Sequence, residues 1–248
     1  MKNHWAAIST VAKRELSAYF ESPVAYVFLV IFLLLAGFFT FTFGGFFERG
    51  EASLTALFTW LPWLFLFLVP AVGMRLWSEE RRMGTIELLL TLPVAAWQAI
   101  LGKFLASWAF LVIALVLTFP MVITVNWLGD PDNGVIASGY IGAALLAGAY
   151  LAISSMTSAL TRNQVIAFVL AVVLCLLLVL VGFSPVTDLL SRFSSPRFEE
   201  GVARFSVLTH YDGFQKGVLD SRGLLYFLSV MAFSLFATGV VIRNHRAG

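Results

Sequence analysis

The segment 24–43 contains no Asp, Glu, Lys, Arg or His, and comparable uncharged runs occupy 57–74, 104–128, 140–160, 165–183 and 224–242. A helix of about 20 apolar residues crosses a hydrocarbon core of about 30 Å. In lipid, a helix satisfies every backbone polar group internally, which an isolated extended strand cannot do. The expectation is therefore an all-α polytopic membrane protein with six transmembrane helices, forming a single domain over residues 1–248. Composition agrees, since 60% of the residues are hydrophobic and only 12% are charged, with a mean hydropathy of +0.90. That balance excludes a soluble globular enzyme, a disordered chain and a nucleic-acid-binding domain. One cysteine, Cys175, lies inside an apolar run and excludes a disulfide framework or a thiolate cluster.

An even number of spans places both termini on one side. That side receives most of the 16 Lys and Arg residues, among them Lys13, Arg14, Arg75, Arg81, Arg82 and Lys103. Basic residues in short loops favour the cytoplasm. Both termini and residues 75–103 are thus expected inside, with 44–56, 129–139 and 184–222 outside.

Residues 1–23 do not read as a cleavable signal. Trp5, Ile8, Ala12, Leu16 and Tyr19 recur at helical spacing, opposite Thr10, Lys13, Arg14, Ser17 and Glu21. This pattern predicts an amphipathic helix in the membrane interface that turns at Ser22-Pro23 into the first span. Trp5, Lys13, Arg14 and Glu15 are its interfacial candidates.

The span interiors lack the ionisable residues that an ion-coupled carrier needs at membrane depth. Their polar occupants, Thr118, Thr124, Asn126, Ser154, Ser155 and Thr157, are expected to bond to backbone or to neighbouring helices. Ala144, Gly148 and Ala152, beside Gly139, Ala143 and Ala147, let another helix approach closely, so the fourth span is expected to pack against protein. No phosphate-binding loop, nucleophile elbow or paired-histidine motif occurs, and the three histidines are far apart. No catalytic residue, metal site or bound cofactor is expected.

The segment after the second span is the most structured of the inner loops. Glu79 and Arg82 can pair at i,i+3 on a helix. Gly84 and Thr85 permit a break and a restart, with Glu87 near the new N-terminus. Glu80 and Arg81 complete a compact charged surface. It suits a soluble partner, and it equally suits a solvated positive-inside loop.

The stretch RLWSEERRMGTIELLLTLPV (75–94), followed by LGKF (101–104), resembles a signature of type-2 ABC exporter permeases. The likeness is to the branch that includes the gliding-motility permease GldF and the copper-enzyme-maturation permease NosY. RELSAYFESPVAYVF (14–28) and LTHYDGFQKGVLDSRGLLYFLS (208–229) extend the resemblance over essentially the whole chain. Ala95-Ala96 departs from it, because relatives often carry charged residues there. The resemblance implies a non-catalytic permease in the bacterial inner membrane. It implies a second permease, as homodimer or related heterodimer, and two copies of an ABC ATP-binding subunit that carry the ATP and Mg. It also makes 75–103 a coupling segment, with Glu79, Glu80, Arg81, Arg82, Gly84, Thr85 and Glu87 contacting the ATPase together with the N-terminal helix. Membrane lipid is a further partner, and a periplasmic or membrane accessory protein is compatible.

The outer loop 184–222 mixes apolar and charged residues and reads as short helices lying at or dipping into the outer leaflet. Re-entrant helices at this position are also what the resemblance implies. Phe205, His210, Tyr211 and Phe214 are its outer-gate candidates, a structural lid being the alternative. Two other functions compete with ATP-driven export. One is a subunit that transmits ATPase strokes to a periplasmic partner without bulk transport, and the other is an ion-coupled carrier, which the uncharged spans disfavour.

Overall fold

The computed structural model describes residues 4–46, 50, 52–85, 95–183, 185–186 and 204–244. The stretches 86–94, which includes Glu87, and 187–203 lie outside them, so the second short helix expected after Thr85 does too. Among the described residues there is no strand.

Helix α1 (His4–Glu21) ends at Ser22, whose hydroxyl accepts from the Val24 amide, and Pro23 opens α2 (Pro23–Phe38). Proline suits that first position because its missing N–H would have no intrahelical partner. A π-helical stretch, Phe39–Phe43, prolongs α2. Helix α3 (Thr55–Gly73) carries Pro62 and Pro70 internally and passes through Met74 into α4 (Arg75–Met83).

Helix α5 (Ala96–Val116) breaks at Leu117-Thr118, and Pro120 lies in the first turn of α6 (Phe119–Leu128). The apolar run 104–128 is thereby divided between two helices. Helix α7 (Asn133–Leu160) is followed by α8 (Gln164–Leu180), α9 (Val207–Gln215) and α10 (Ser221–Asn244).

Among the described residues, five helical stretches are long and apolar enough to cross a membrane: Pro23–Phe43, Thr55–Met83, Ala96–Leu128, Asn133–Leu160 and Ser221–Asn244. The fifth span expected from sequence, 165–183, is represented by α8, whose 17 residues rise about 25 Å, short of a full core. The chain turns at Val181-Gly182, where the Ser206 side chain occupies the space of a would-be Cβ.

Helix α7 is the hub, packed against α3, α5, α8, α9 and α10. Ala143, Ala147, Gly148 and Ala152 are buried, as the small-residue spacing predicts. A Cβ on Gly139 would sit 2.5 Å from the Phe58 ring, and one on Gly142 would sit 2.5 Å from Phe214 Cβ. Glycine there lets α3 and α9 approach α7 more closely than any side chain allows.

The polar residues of the spans bond as expected. Thr124 donates to the Pro120 carbonyl (2.9 Å), Ser154 to Tyr150 (2.7 Å) and Thr157 to Ser154 (3.0 Å). Asn126 donates to the Val122 carbonyl (2.9 Å), and its amide exchanges hydrogen bonds with that of Asn133. Thr118 and Tyr140 join their hydroxyls at 2.6 Å. Among the described residues, the buried hydroxyls of Ser138, Tyr150 and Tyr211 make no such bond.

Candidate functional site

The junction of α3 and α4 is locked onto the end of α7. A break at Met74 strips backbone groups of their helical partners. Ser158, on α7, replaces them: its hydroxyl accepts from the Trp77 and Ser78 amides, both at 3.0 Å, and donates to the Met74 carbonyl at 2.7 Å. The Trp77 indole donates to Ser155, also on α7, at 2.9 Å. Arg81 donates to the Ala159 carbonyl in the last turn of α7, a turn whose carbonyls lack intrahelical donors. Five bonds therefore fix the angle at which α4 leaves the bundle.

Helix α1 lies along the start of α5. Gly102 makes room for it, since a Cβ there would be 2.7 Å from Val11 Cγ1 and 3.2 Å from the Ile8 carbonyl. Farther along, Tyr19 bonds the Ser107 hydroxyl at 2.9 Å and stacks on Phe110 at 5.0 Å. The exposed face holds Thr10, Lys13, Arg14, Ser17 and Glu21, as the sequence pattern requires. Ile8 is buried and Ala12, Leu16 and Tyr19 are half-buried, whereas Trp5 is 77% exposed.

Lys103 joins these two assemblies. It is 6% exposed on α5, and its ammonium sits 2.9 Å from Glu80 Oε1 on α4 and 3.2 Å from Glu15 Oε2 on α1. The same ammonium lies 5.6 Å above the Trp77 ring, within cation–π range. Burial alone would push the Glu15 carboxyl upward in pKa. The Lys103 ammonium, helped by a 2.9 Å contact with Arg14, outweighs burial and holds it below the usual carboxylate range. A buried ammonium with two carboxylates and an indole ties three helices at one point.

The sequence-selected coupling residues divide into two groups. Glu79 and Arg82 face outward and pair across one helical turn at 3.9 Å. Gly84 caps α4 with φ +71°, its N–H reaching the Glu80 carbonyl, and Thr85 is exposed beside it with its hydroxyl 3.4 Å from the same carbonyl. Glu80 and Arg81 turn inward, to Lys103 and to α7. Glu87 lies outside the described residues.

The outer-gate candidates also divide. Tyr211 and Phe214 are buried where α9 meets α7 and anchor the helix. His210 stacks on Tyr226, with centroids 4.0 Å apart, and its Nδ1 lies 2.8 Å from the Ser206 carbonyl. Phe205 is 68% exposed, and its carbonyl accepts from the Tyr226 hydroxyl at 2.6 Å. His210 also borders a cavity of about 830 Å³ with Arg204, Asp220 and Arg222.

Sequence reasoning missed Lys103 and Ser158. Glu15 shares a helical face with Ile8, Val11 and Tyr19, so a carboxylate on a packed face called for a cation. Among the described residues no cluster of His, Cys, Asp and Glu could hold a metal ion.

No curated protein is similar enough to the chain to stand as a relative. Residues 9–218 match the description of an ABC-2 family transporter protein, a stretch that takes in most of α1, the Lys103 bridge, the hub helix and α9. With most of its length matched and its apolar helices long enough to span a bilayer, the chain is a multi-pass membrane protein belonging to the ABC-2 transporter family.

Proposed function

We propose that the chain is the permease subunit of a type-2 ABC exporter of the branch that includes GldF and NosY. In this reading it has six spans in the bacterial inner membrane, with both termini cytoplasmic and α8 completing the set. It pairs with a second permease, identical or related, and with two ABC ATP-binding subunits that bind the ATP and Mg. The family implies an ABC ATPase partner in general. This chain has no phosphate-binding loop of its own, and so no backbone cradle for the β- and γ-phosphates.

The observation that carries the proposal is the Lys103 bridge. Helices α1 and α4 are the two elements expected to meet the ATPase, and one ammonium on α5 holds a carboxylate from each. A displacement of either helix is thereby delivered to the third span. Glu79, Arg82, Gly84 and Thr85, together with Glu87, form the ATPase-facing surface. Glu80 and Arg81 pass its motion to α5 and α7. Lys13, Arg14 and Trp5 form the exposed part of the interfacial helix. Phe205 and His210 form the movable part of an outer gate, hinged on the buried Tyr211 and Phe214.

Co-expression with a partner ATPase tests this. The expected result is a stable complex in which the permease alters ATP turnover, and a vanadate-sensitive efflux from vesicles. A complex with coupled hydrolysis and no efflux would favour transmission of ATPase strokes to a periplasmic partner. Failure to associate with any ABC ATPase would overturn the reading.

A further inference from the structure

A cleft of about 450 Å³ opens between α1, α2, α4 and α5, beside the Lys103 bridge. Its volume lies within the usual range for small-molecule sites. One end is polar, lined by Arg75, Glu79, Glu80 and Lys103, and the other is apolar, lined by Ala25, Phe28, Val72 and Phe110. The two ends meet where the amphipathic α1 turns into the first span, the level at which lipid headgroups give way to acyl chains.

We propose that this cleft binds an aminophospholipid, with its primary ammonium on Glu80 and its phosphate on Arg75. Glu80 supplies the first half of the argument. Lys103 engages Oε1 at 2.9 Å, whereas Oε2 is buried and, among the described residues, has no hydrogen-bond partner. A buried carboxylate oxygen without a donor is costly, and the ligand that relieves it carries N–H groups and positive charge.

Arg75 supplies the second half. It is exposed on the rim, makes no ion pair among the described residues, and offers a guanidinium fork suited to phosphate. A zwitterionic headgroup with a primary amine matches both groups at once. An anionic headgroup without an amine would bring negative charge against Glu79 and Glu80. A choline headgroup has positive charge and no N–H for Oε2 to accept. The apolar end, whose neighbour Val24 is 52% exposed, receives the start of an acyl chain.

The proposal needs only that the chain be membrane-embedded, and its test involves no ATPase. It therefore stands or falls separately from the transport reading. Purified protein is titrated with phosphatidylethanolamine, phosphatidylcholine and phosphatidylglycerol of identical acyl chains, and bound lipid is read by native mass spectrometry. The expected result is a preference of about tenfold for phosphatidylethanolamine, the factor that one charge-assisted hydrogen bond supplies.

Glu80→Gln is expected to abolish the preference over phosphatidylcholine. Arg75→Gln is expected to weaken all three lipids together. Ala18→Trp, at an exposed lining position away from the ion bridge, is expected to lower phosphatidylethanolamine binding by obstruction and so guards against misfolding of Glu80→Gln. Equal retention of the three lipids overturns the proposal, as does a preference that survives Ala18→Trp and Glu80→Gln alike.

Discussion

Glu80 on α4 holds the ammonium of Lys103 on α5 at 2.9 Å, so a residue from the segment after span two reaches inward to the third span. Glu15 approaches the same ammonium from α1 at 3.2 Å. The side chains are 7%, 18% and 21% exposed for Lys103, Glu80 and Glu15, low enough that loss of the cation leaves two poorly solvated carboxylates. Lys103→Met should therefore destabilise the protein by about 3 kcal/mol, the lower end for a broken buried pair. Combining it with Glu15→Gln and Glu80→Gln should recover most of that loss, because no charge then lacks a partner. Thermal unfolding in detergent compares the single and triple variants. An unchanged midpoint for Lys103→Met would show that the bridge does not hold these helices.

The bridge also predicts a response to acid. Glu15 has a folded pKa below its ordinary value of 4.5, so its contribution is fully present above that value. It is lost as pH falls through the lowered folded value. Wild-type stability measured from pH 7 downward should fall more steeply below about pH 4.5 than that of Glu15→Gln, since both states of the variant are neutral at this position. Coincident curves would rule out a stabilising charge at Glu15.

Alkali acts on the neighbouring rung. Burial raises the Tyr19 hydroxyl to about 12, despite the opposing hydrogen bond from Ser107. Its contribution is complete below pH 10 and is lost as pH rises through about 12. Tyr19→Phe should remove that alkaline step, which far-ultraviolet circular dichroism during base titration would register.

Packing of α1 depends on one absent side chain. A Cβ at position 102 would meet Val11 Cγ1 at 2.7 Å and Val11 Cβ at 2.8 Å. Neither atom lies at the end of a long flexible chain, so α1 has to shift. Gly102→Ala should cost about 1–3 kcal/mol, the usual range for overpacking. It should also expose the Lys13-Arg14 region to trypsin while cleavage after Arg82 changes little. Equal protection of both segments would mean that α1 absorbs the methyl group.

The uncharged runs made the helical spans legible because desolvation of the backbone in lipid leaves few alternatives. The amphipathic spacing of 5–21 likewise placed the exposed face of α1, and the small-residue spacing of 139–152 marked the buried hub. What pattern could not supply was the third dimension of the polar groups. Glu80 looks like its neighbour Glu79 in a charged string, yet about 100° of helical rotation per residue separates an outward carboxylate from one that meets Lys103. Ser158 has nothing in its spacing to set it apart from Ser154 and Ser155. Yet it serves a break in a different helix, at Met74. Nor could pattern show that Gly182, apolar by composition, has the Ser206 side chain where its own Cβ would be.

The exposed end of α4 separates charge from backbone shape. Glu79 and Arg82 are 40% and 63% exposed at the side chain and 3.9 Å apart, so their pair adds little to stability. Arg82→Glu should leave the unfolding midpoint nearly unchanged while lowering ATPase association, and a compensating reversal on the ATPase should restore it. Gly84 acts differently. At φ +71° nothing lies within 4 Å of a would-be Cβ, so a substitution there is penalised by backbone conformation and not by collision. Gly84→Val forces a β-branched residue into the left-handed region at about 1–2 kcal/mol, whereas Gly84→Asn fits that cap at smaller cost. Gly84→Val should therefore misdirect the chain leaving α4 and impair coupling, and Gly84→Asn should retain most of it. No charge reversal on the ATPase should rescue Gly84→Val. Co-purification of each permease variant with wild-type and charge-reversed ATPase measures all of these outcomes. Normal association by Arg82→Glu and Gly84→Val together would remove the end of α4 from the ATPase contact and leave the Lys103 bridge as a purely structural clamp.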